Sequence, residues 1–264
     1  MSFTLPGRPP NNFISIDSAE WTTFLTDPFA AGLPAFNPPL PATLMADLQN
    51  RLGPTCAPNH ARHARSSTRA LEDMIEQDRT QNGQTTDTFR FFLAFANDVI
   101  DRYGRFLGFL NEDLPNPPHP LSYNERLLAQ GRVIPYFIWP NINPFRKQPS
   151  LLDAVPKPGH LITDSSLNQA RQAVRNARTD HLGIFEVADP LKLLPFEVRY
   201  LARTVKHGNQ EFRGGPDRWV INLAAGDDRL LPPQRYVEIA NLEDRLFVPA
   251  EYVPLFVNKG WKQL

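Results

Sequence analysis

Asp101-Arg102-Tyr103-Gly104-Arg105-Phe106-Leu107-Gly108-Phe109-Leu110 is the stretch on which the reading of the fold turns. A short charged run broken by Gly104 interrupts a segment, Thr88 to Leu110, that is otherwise rich in phenylalanine and leucine. Aromatic and aliphatic runs on either side of a glycine predict two strands joined by a turn at Gly104, both largely buried.

Upstream, Thr68, Leu71, Met74 and Ile75 recur at helical spacing between Arg65 and Gln77, which predicts a short amphipathic helix. Downstream, Ser122 stands three residues before Glu125, the capping-box spacing, and opens a helix over Leu127 and Leu128 that Gly131 stops. Residues 133–139 are β-branched and aromatic, but Pro135 restricts them to an edge strand or an extended segment. Asp164 or Ser165 then caps a helix in which Leu167, Ala170, Val174 and Ala177 step by three and four, with Arg171, Arg175 and Arg178 on the opposite face. Later elements are a helix near Leu193 to Arg203, a glycine loop at Gly214 and Gly215, a strand at 219–223 and a closing segment from Pro249 to Gly260. The 27 prolines fix φ and remove donors, so long uninterrupted helices are not expected. Prolines cluster around residues 9–10 and 34–41, which marks residues 1–41 as an N-terminal extension.

The 264 residues suffice for one large domain, or for a medium one with extensions. Basic and acidic residues balance at 28 each, so any contact with nucleic acid must come from a local patch. No stretch of about 18 apolar residues exists to span a bilayer, and the first twelve residues lack the apolar core of a signal peptide; a cytoplasmic protein is expected, with no membrane partner. Cys56 is the single cysteine and has no partner for an internal disulfide.

Three segments in order resemble the staphylococcal-nuclease-like (thermonuclease) family. Asp101 to Leu110 is similar to its D-x-YGR-x-L run, Leu121 to Tyr136 to its N-x-x-L-x-x-G-x-A stretch, and Gln169 to Glu186 to its final EAQA…LGIW helix, with Phe185 where tryptophan is usual. The resemblance implies an α+β, mainly β fold: an OB-type five-stranded barrel with packed helices, occupying residues 42–187 between the N-terminal extension and a C-terminal extension or small subdomain at 188–264. In that family, carboxylates hold calcium and activate water while arginines neutralise charge on the phosphate, roles suited to hard oxygen ligands and to a permanently charged fork. Arg105 falls on the arginine of the YGR triplet. The pattern RLxxxDxPE laid on 51–59 matches Arg51 and Pro58, but puts Cys56 and Asn59 where the acidic groups belong. The DGDT turn has no counterpart. Calcium is implied by the family although its ligands are missing, and loss of a positioned acid or base costs on the order of 10² to 10⁴ in rate.

The expectation is therefore a nuclease-related protein that acts on or binds DNA or RNA phosphodiesters, with catalysis weak or lost; the alternative is a non-catalytic nucleic-acid or protein interaction module. Arg105 and Arg51 are the catalytic candidates, and Tyr103 and Tyr136 the substrate-binding ones. Each has a structural reading beside it. Arg105 can pair with Asp101 or Asp98, and Tyr136, Phe137 and Trp139 can fill a core rather than stack on bases. Cys56, His60 and His63 have donors suited to zinc but no evident fourth ligand, which favours a buried cysteine beside histidines in water. Arg62, Arg65 and Arg69 form either a phosphate-binding or a solvated face. A C-terminal partner site through the aromatics of 253–261 is the remaining alternative.

Overall fold

A short antiparallel pair, β1 (Ser2–Phe3) with β2 (Ile14–Ser15), precedes helix α1 (Ala19–Thr26), whose first turn is capped by the Ser18 side chain accepting from the Trp21 N–H. The computed structural model describes residues 2–3, 14–33, 35–36, 39–100, 106–114, 120–143, 150–202, 206–207, 210–211 and 217–264. Helices α2 (Ala42–Arg51) and α3 (Cys56–Gln81) follow. At 26 residues, α3 is far longer than the proline content suggests. The prolines are clustered: Pro58 sits in the first turn of α3, where no intrahelical N–H is required, and no other proline occurs until Pro115.

Strands β3 (Phe91–Ile100) and β4 (Phe106–Glu112) form the expected antiparallel hairpin, in register from Phe91↔Glu112 to Phe95↔Gly108 and irregular before Ile100↔Phe106. Its burial differs from the expectation. Phe91, Phe92, Leu93, Val99, Ile100, Phe106 and Leu107 are exposed, because the hairpin is a sheet of two strands with no second layer over much of its surface. Helix α4 (Tyr123–Ala129) carries the full capping box between Ser122 and Glu125, and Gly131 turns the chain at φ +61°.

Strand β5 (Phe137–Ile138) lies at the edge of the three-stranded sheet, as Pro135 requires. Short α5 (Leu151–Ala154) leads to α6 (Ser165–Thr179), capped by Asp164, with Leu167, Ala170, Val174 and Ala177 all buried. After α7 (Pro195–Ala202) come the pair β6 (Lys206–His207) and β7 (Gln210–Glu211), then β8 (Arg218–Asn222), β9 (Arg229–Leu230), β10 (Arg245–Pro249), α8 (Val253–Asn258) and β11 (Lys262–Gln263). The central β10 runs parallel to β5 and antiparallel to β8.

The result is a mixed α/β fold of small sheets. Among the described residues, three strands make the largest sheet and none closes, so the five-stranded OB-type barrel is not formed there. Residues 51–81, which the family pattern would spend on the first part of a barrel, are almost wholly helical, and the strands that remain divide among five small sheets. No helix among the described residues is long and apolar enough to cross a membrane.

The largest core joins Ile16, Trp21 and Leu25 to Leu44, Leu48 and Ala61, and also to Phe196, Val220, Tyr236 and Phe247. Residues from 1–41, 42–187 and 188–264 thus share one interior. A second core gathers Trp139, Leu167, Leu246, Phe256 and Trp261. The glycines after α4 and α6 cross face to face: a Cβ on Gly131 would lie 2.3 Å from the Leu182 carbonyl oxygen, and one on Gly183 would lie 2.2 Å from that of Gly131. Only glycine at both positions lets the Ile184 N–H reach the Gly131 carbonyl at 2.8 Å.

Candidate functional site

Arg51 ends α2 and points inward. Its Nη1 donates to Glu197 Oε2 at 2.7 Å and to the Lys192 carbonyl at 3.0 Å, its Nη2 donates to Glu197 Oε1 at 2.8 Å, and Asp47 one turn back completes the cage. Burial alone would lower the pKa of this guanidinium, but the carboxylates of Glu197 and Asp47 more than offset that and hold it above its usual value. Glu197 is itself buried and also accepts from the Tyr236 hydroxyl and the Leu194 N–H, both at 2.7 Å. A phosphate at Arg51 would have to displace that carboxylate. The geometry makes Arg51 a structural ion pair rather than the catalytic arginine that the motif suggested.

The rest of 51–59 ties down the segment 189–193. Asn59, fully buried, donates to Asp189 Oδ1 and the Pro190 carbonyl, both at 2.9 Å, and accepts from the Lys192 N–H at 3.0 Å. Cys56 Sγ donates to the Arg51 carbonyl. His63 Nε2 meets the Asp189 carbonyl at 2.9 Å. Cys56, His60 and His63 therefore do not converge, and no group of three His, Cys, Asp or Glu residues suited to a metal occurs among the described residues.

Tyr136 is half-buried and packs against the main core. Its ring stacks on Phe196 at 4.9 Å and meets Phe247 edge-on, while its hydroxyl accepts from Arg218 Nη1 at 2.8 Å. Trp139 is buried against Tyr252 and Phe256. The aromatics Phe256 and Trp261 of the closing segment are buried as well, the Trp261 indole donating to the Pro156 carbonyl. Arg105 and Tyr103, with Asp101, lie outside the described residues. Asp98 is engaged by the amides of Asn97 and Asn141.

The arginines on the middle of α3 face a hollow. A cavity of about 740 Å³ opens between α3, the β2 turn and residues 132–134; Ile16, Ala61, Ile134, Ile184 and Leu191 line its apolar parts, and Arg65, Arg69 and Arg132, with the carboxylates Asp17 and Glu72, its charged ones. A second hollow of about 280 Å³ includes the same three arginines together with Arg62, Ser66 and the acidic Asp73. Two of these cations are neutralised: Arg62 by both oxygens of Asp189 at 2.7 Å, and Arg65 by Asp17 at 2.8 Å. Arg132 donates from Nη1 to the Ser66 hydroxyl at 2.9 Å and its buried Nε meets no acceptor. Among the described residues neither Arg69 nor Arg132 has a carboxylate partner.

Electrostatics follow from burial and pairing. Burial holds the His60 pKa down at about 4, so at neutral pH the imidazole in the cavity wall carries no charge. Hydrogen bonds from Arg62, and secondarily from Asn59, keep Asp189 below the usual carboxylate range. On α6, by contrast, two arginines are paired with buried carboxylates: Arg171 bonds Asp244 and Arg178 bonds Glu243, at 2.6 Å each.

No family model, curated protein or solved structure matches this chain. The site therefore rests on its own geometry. Sequence reasoning singled out Arg62, Arg65 and Arg69; it missed Arg132 and Asp17, whose only sequence cue is Arg132 following the helix-stopping Gly131.

Proposed function

We propose that the chain is a nucleic-acid-binding module that holds the phosphodiester backbone of a single strand along α3, without cleaving it. The observation that carries this reading is the pair Arg69 and Arg132, two guanidiniums that line both adjoining hollows and lack a carboxylate partner among the described residues. A phosphate supplies what they lack, because the planar fork of arginine matches two phosphate oxygens at once. The apolar part of the larger hollow, bounded by Ile134, Ile184 and Leu191, offers an unpaired base a dry surface. A duplex keeps its bases stacked inside and gains nothing from that surface.

Binding is favoured over hydrolysis by the side chains at 51–59. Asn59 cannot act as a general base, and Arg51 is committed to Glu197. The nuclease-like resemblance then supplies the ligand class and not the reaction.

The test is fluorescence anisotropy with labelled DNA and RNA strands of about 12 nucleotides, for wild type and for Arg69→Ala/Arg132→Ala, with gel analysis of the strands in calcium, magnesium or EDTA. Salt-sensitive binding that the double variant loses, with strands left intact, is the expected result. Absence of binding, or binding indifferent to both substitutions, would overturn the reading.

A further inference from the structure

Arg65 shares both hollows with Arg69 and Arg132. It precedes Arg69 by four residues, one turn and about 6 Å along the axis of α3, so the two guanidiniums stand on one face of the helix. A strand held by Arg69 and Arg132 therefore passes Arg65. What sets Arg65 apart is one contact, its Nη1 donating to Asp17 Oδ2 at 2.8 Å.

The carboxylates that neutralise Arg62 and Arg65 are held differently. Asp189 grips Arg62 with both oxygens and is itself tied by the amide of fully buried Asn59 at 2.9 Å. Asp17 meets Arg65 with one oxygen, in a pair whose side chains are 42% and 56% exposed, and its other oxygen accepts from the Ser15 hydroxyl of its own turn. The Ser15 hydroxyl, and after it Arg65, hold the Asp17 carboxyl below the usual range, so it is charged at neutral pH. An exposed one-point ion pair is screened by salt and holds weakly, whereas arginine meets a phosphate through two parallel bonds. The backbone on either side of Asp17 is fixed, with Ile16 buried in the main core and Ser18 capping α1. Rotation of the Asp17 side chain thus frees Arg65 without moving the turn.

We infer, on the nucleic-acid-binding reading of this site, that Arg65 is its third phosphate-binding residue and that Asp17 is a built-in competitor, which occupies Arg65 until a phosphate of the bound strand takes its place. Asp17 already presents to Arg65 what a phosphate presents, a negatively charged oxygen at hydrogen-bond distance. A free anion meets that competitor unaided. A strand anchored at Arg69 and Arg132 delivers its next phosphate at high local concentration and displaces the carboxylate. The contact between Asp17 and Arg65 therefore favours a chain of phosphodiesters over a single phosphate.

Anisotropy titrations of labelled DNA and RNA single strands of about 12 nucleotides, across a salt series, test this. They compare wild type, Asp17→Asn, Glu72→Gln, Arg65→Gln and Asp17→Asn/Arg65→Gln, with folding checked by circular dichroism. Asp17→Asn should steepen the slope of log K against log salt by about 0.7 and bind about fivefold tighter at about 0.1 M salt. Glu72→Gln removes a carboxylate from the same hollow without releasing Arg65, and should give a smaller gain. In the Arg65→Gln background the gain from Asp17→Asn should shrink to that level. Binding by Asp17→Asn no tighter than by Glu72→Gln, or a full gain that persists without Arg65, would overturn the inference while leaving strand binding through Arg69 and Arg132 intact. Failure of both wild type and Asp17→Asn to bind any strand would overturn the two together.

Discussion

Arg51 and Glu197, 146 residues apart in sequence, face each other as a fork against a fork, with N···O distances of 2.7 and 2.8 Å on the wall of the main core. A buried pair contributes little when compared with apolar side chains of the same shape, but removing one member strands the other. Arg51→Ala should therefore cost about 3 kcal/mol in urea unfolding and leave nucleic-acid affinity unchanged, the reverse of what a phosphate-contacting arginine would show.

The crossed glycines predict a second stability defect. Gly131→Ala places a methyl 2.3 Å from the Leu182 carbonyl oxygen at a backbone φ of +61°. The left-handed conformation alone costs ~1–2 kcal/mol, and the clash adds to it. Thermal denaturation should show a lower midpoint for Gly131→Ala, while Gly159→Ala, where no atom lies within 4 Å of the new methyl, should lose only the conformational part.

His60 makes stability depend on pH. Its folded pKa of about 4 lies below the 6.5 of a free imidazole, so between these values the unfolded chain binds more protons than the folded one. The His60 contribution is complete above pH 6.5 and is lost as pH falls toward 4. That loss amounts to about 3 kcal/mol. Denaturant titrations across this window should show the slope, and His60→Gln should flatten it. Asp189, held low chiefly by Arg62, should add a separate loss at more acid pH, because a depressed carboxylate stabilises only while it stays ionised.

Arg69 and Arg132 should be separable from Arg62 by salt. Each phosphate contact on a single strand contributes about 0.7 to the slope of log K against log salt. Arg69→Ala and Arg132→Ala should each reduce the slope by about that amount. Arg62 is already neutralised by Asp189, so Arg62→Ala should change it little. A plot of affinity against salt for the three single variants decides the matter.

Local features were readable in the sequence because local physics produces them. The Ser122–Glu125 capping box, the Asp164 cap and the buried stripe of α6 each depend on residues a turn apart. Helix α3 extends beyond the apolar stripe of 68–75 because its first turns bury Ala57 and Ala61, small residues that leave no strong apolar rhythm. Beyond the β3–β4 hairpin, pairings were not readable. Strand β5 meets β10 more than a hundred residues later, and nothing in either short run names the other. The candidate site was half visible: three arginines of α3 stood out, whereas Arg132 and Asp17 reach it only through the fold.

The interior shared by Trp21 and Phe247 sets an order on biosynthesis. Helix α1 can meet α3 soon after both emerge from the ribosome, but the core they share cannot close before Phe247 has been made. Maturation is then a late, concerted event with chaperones as its natural escort, and trimming either end should yield an insoluble product instead of a smaller working unit.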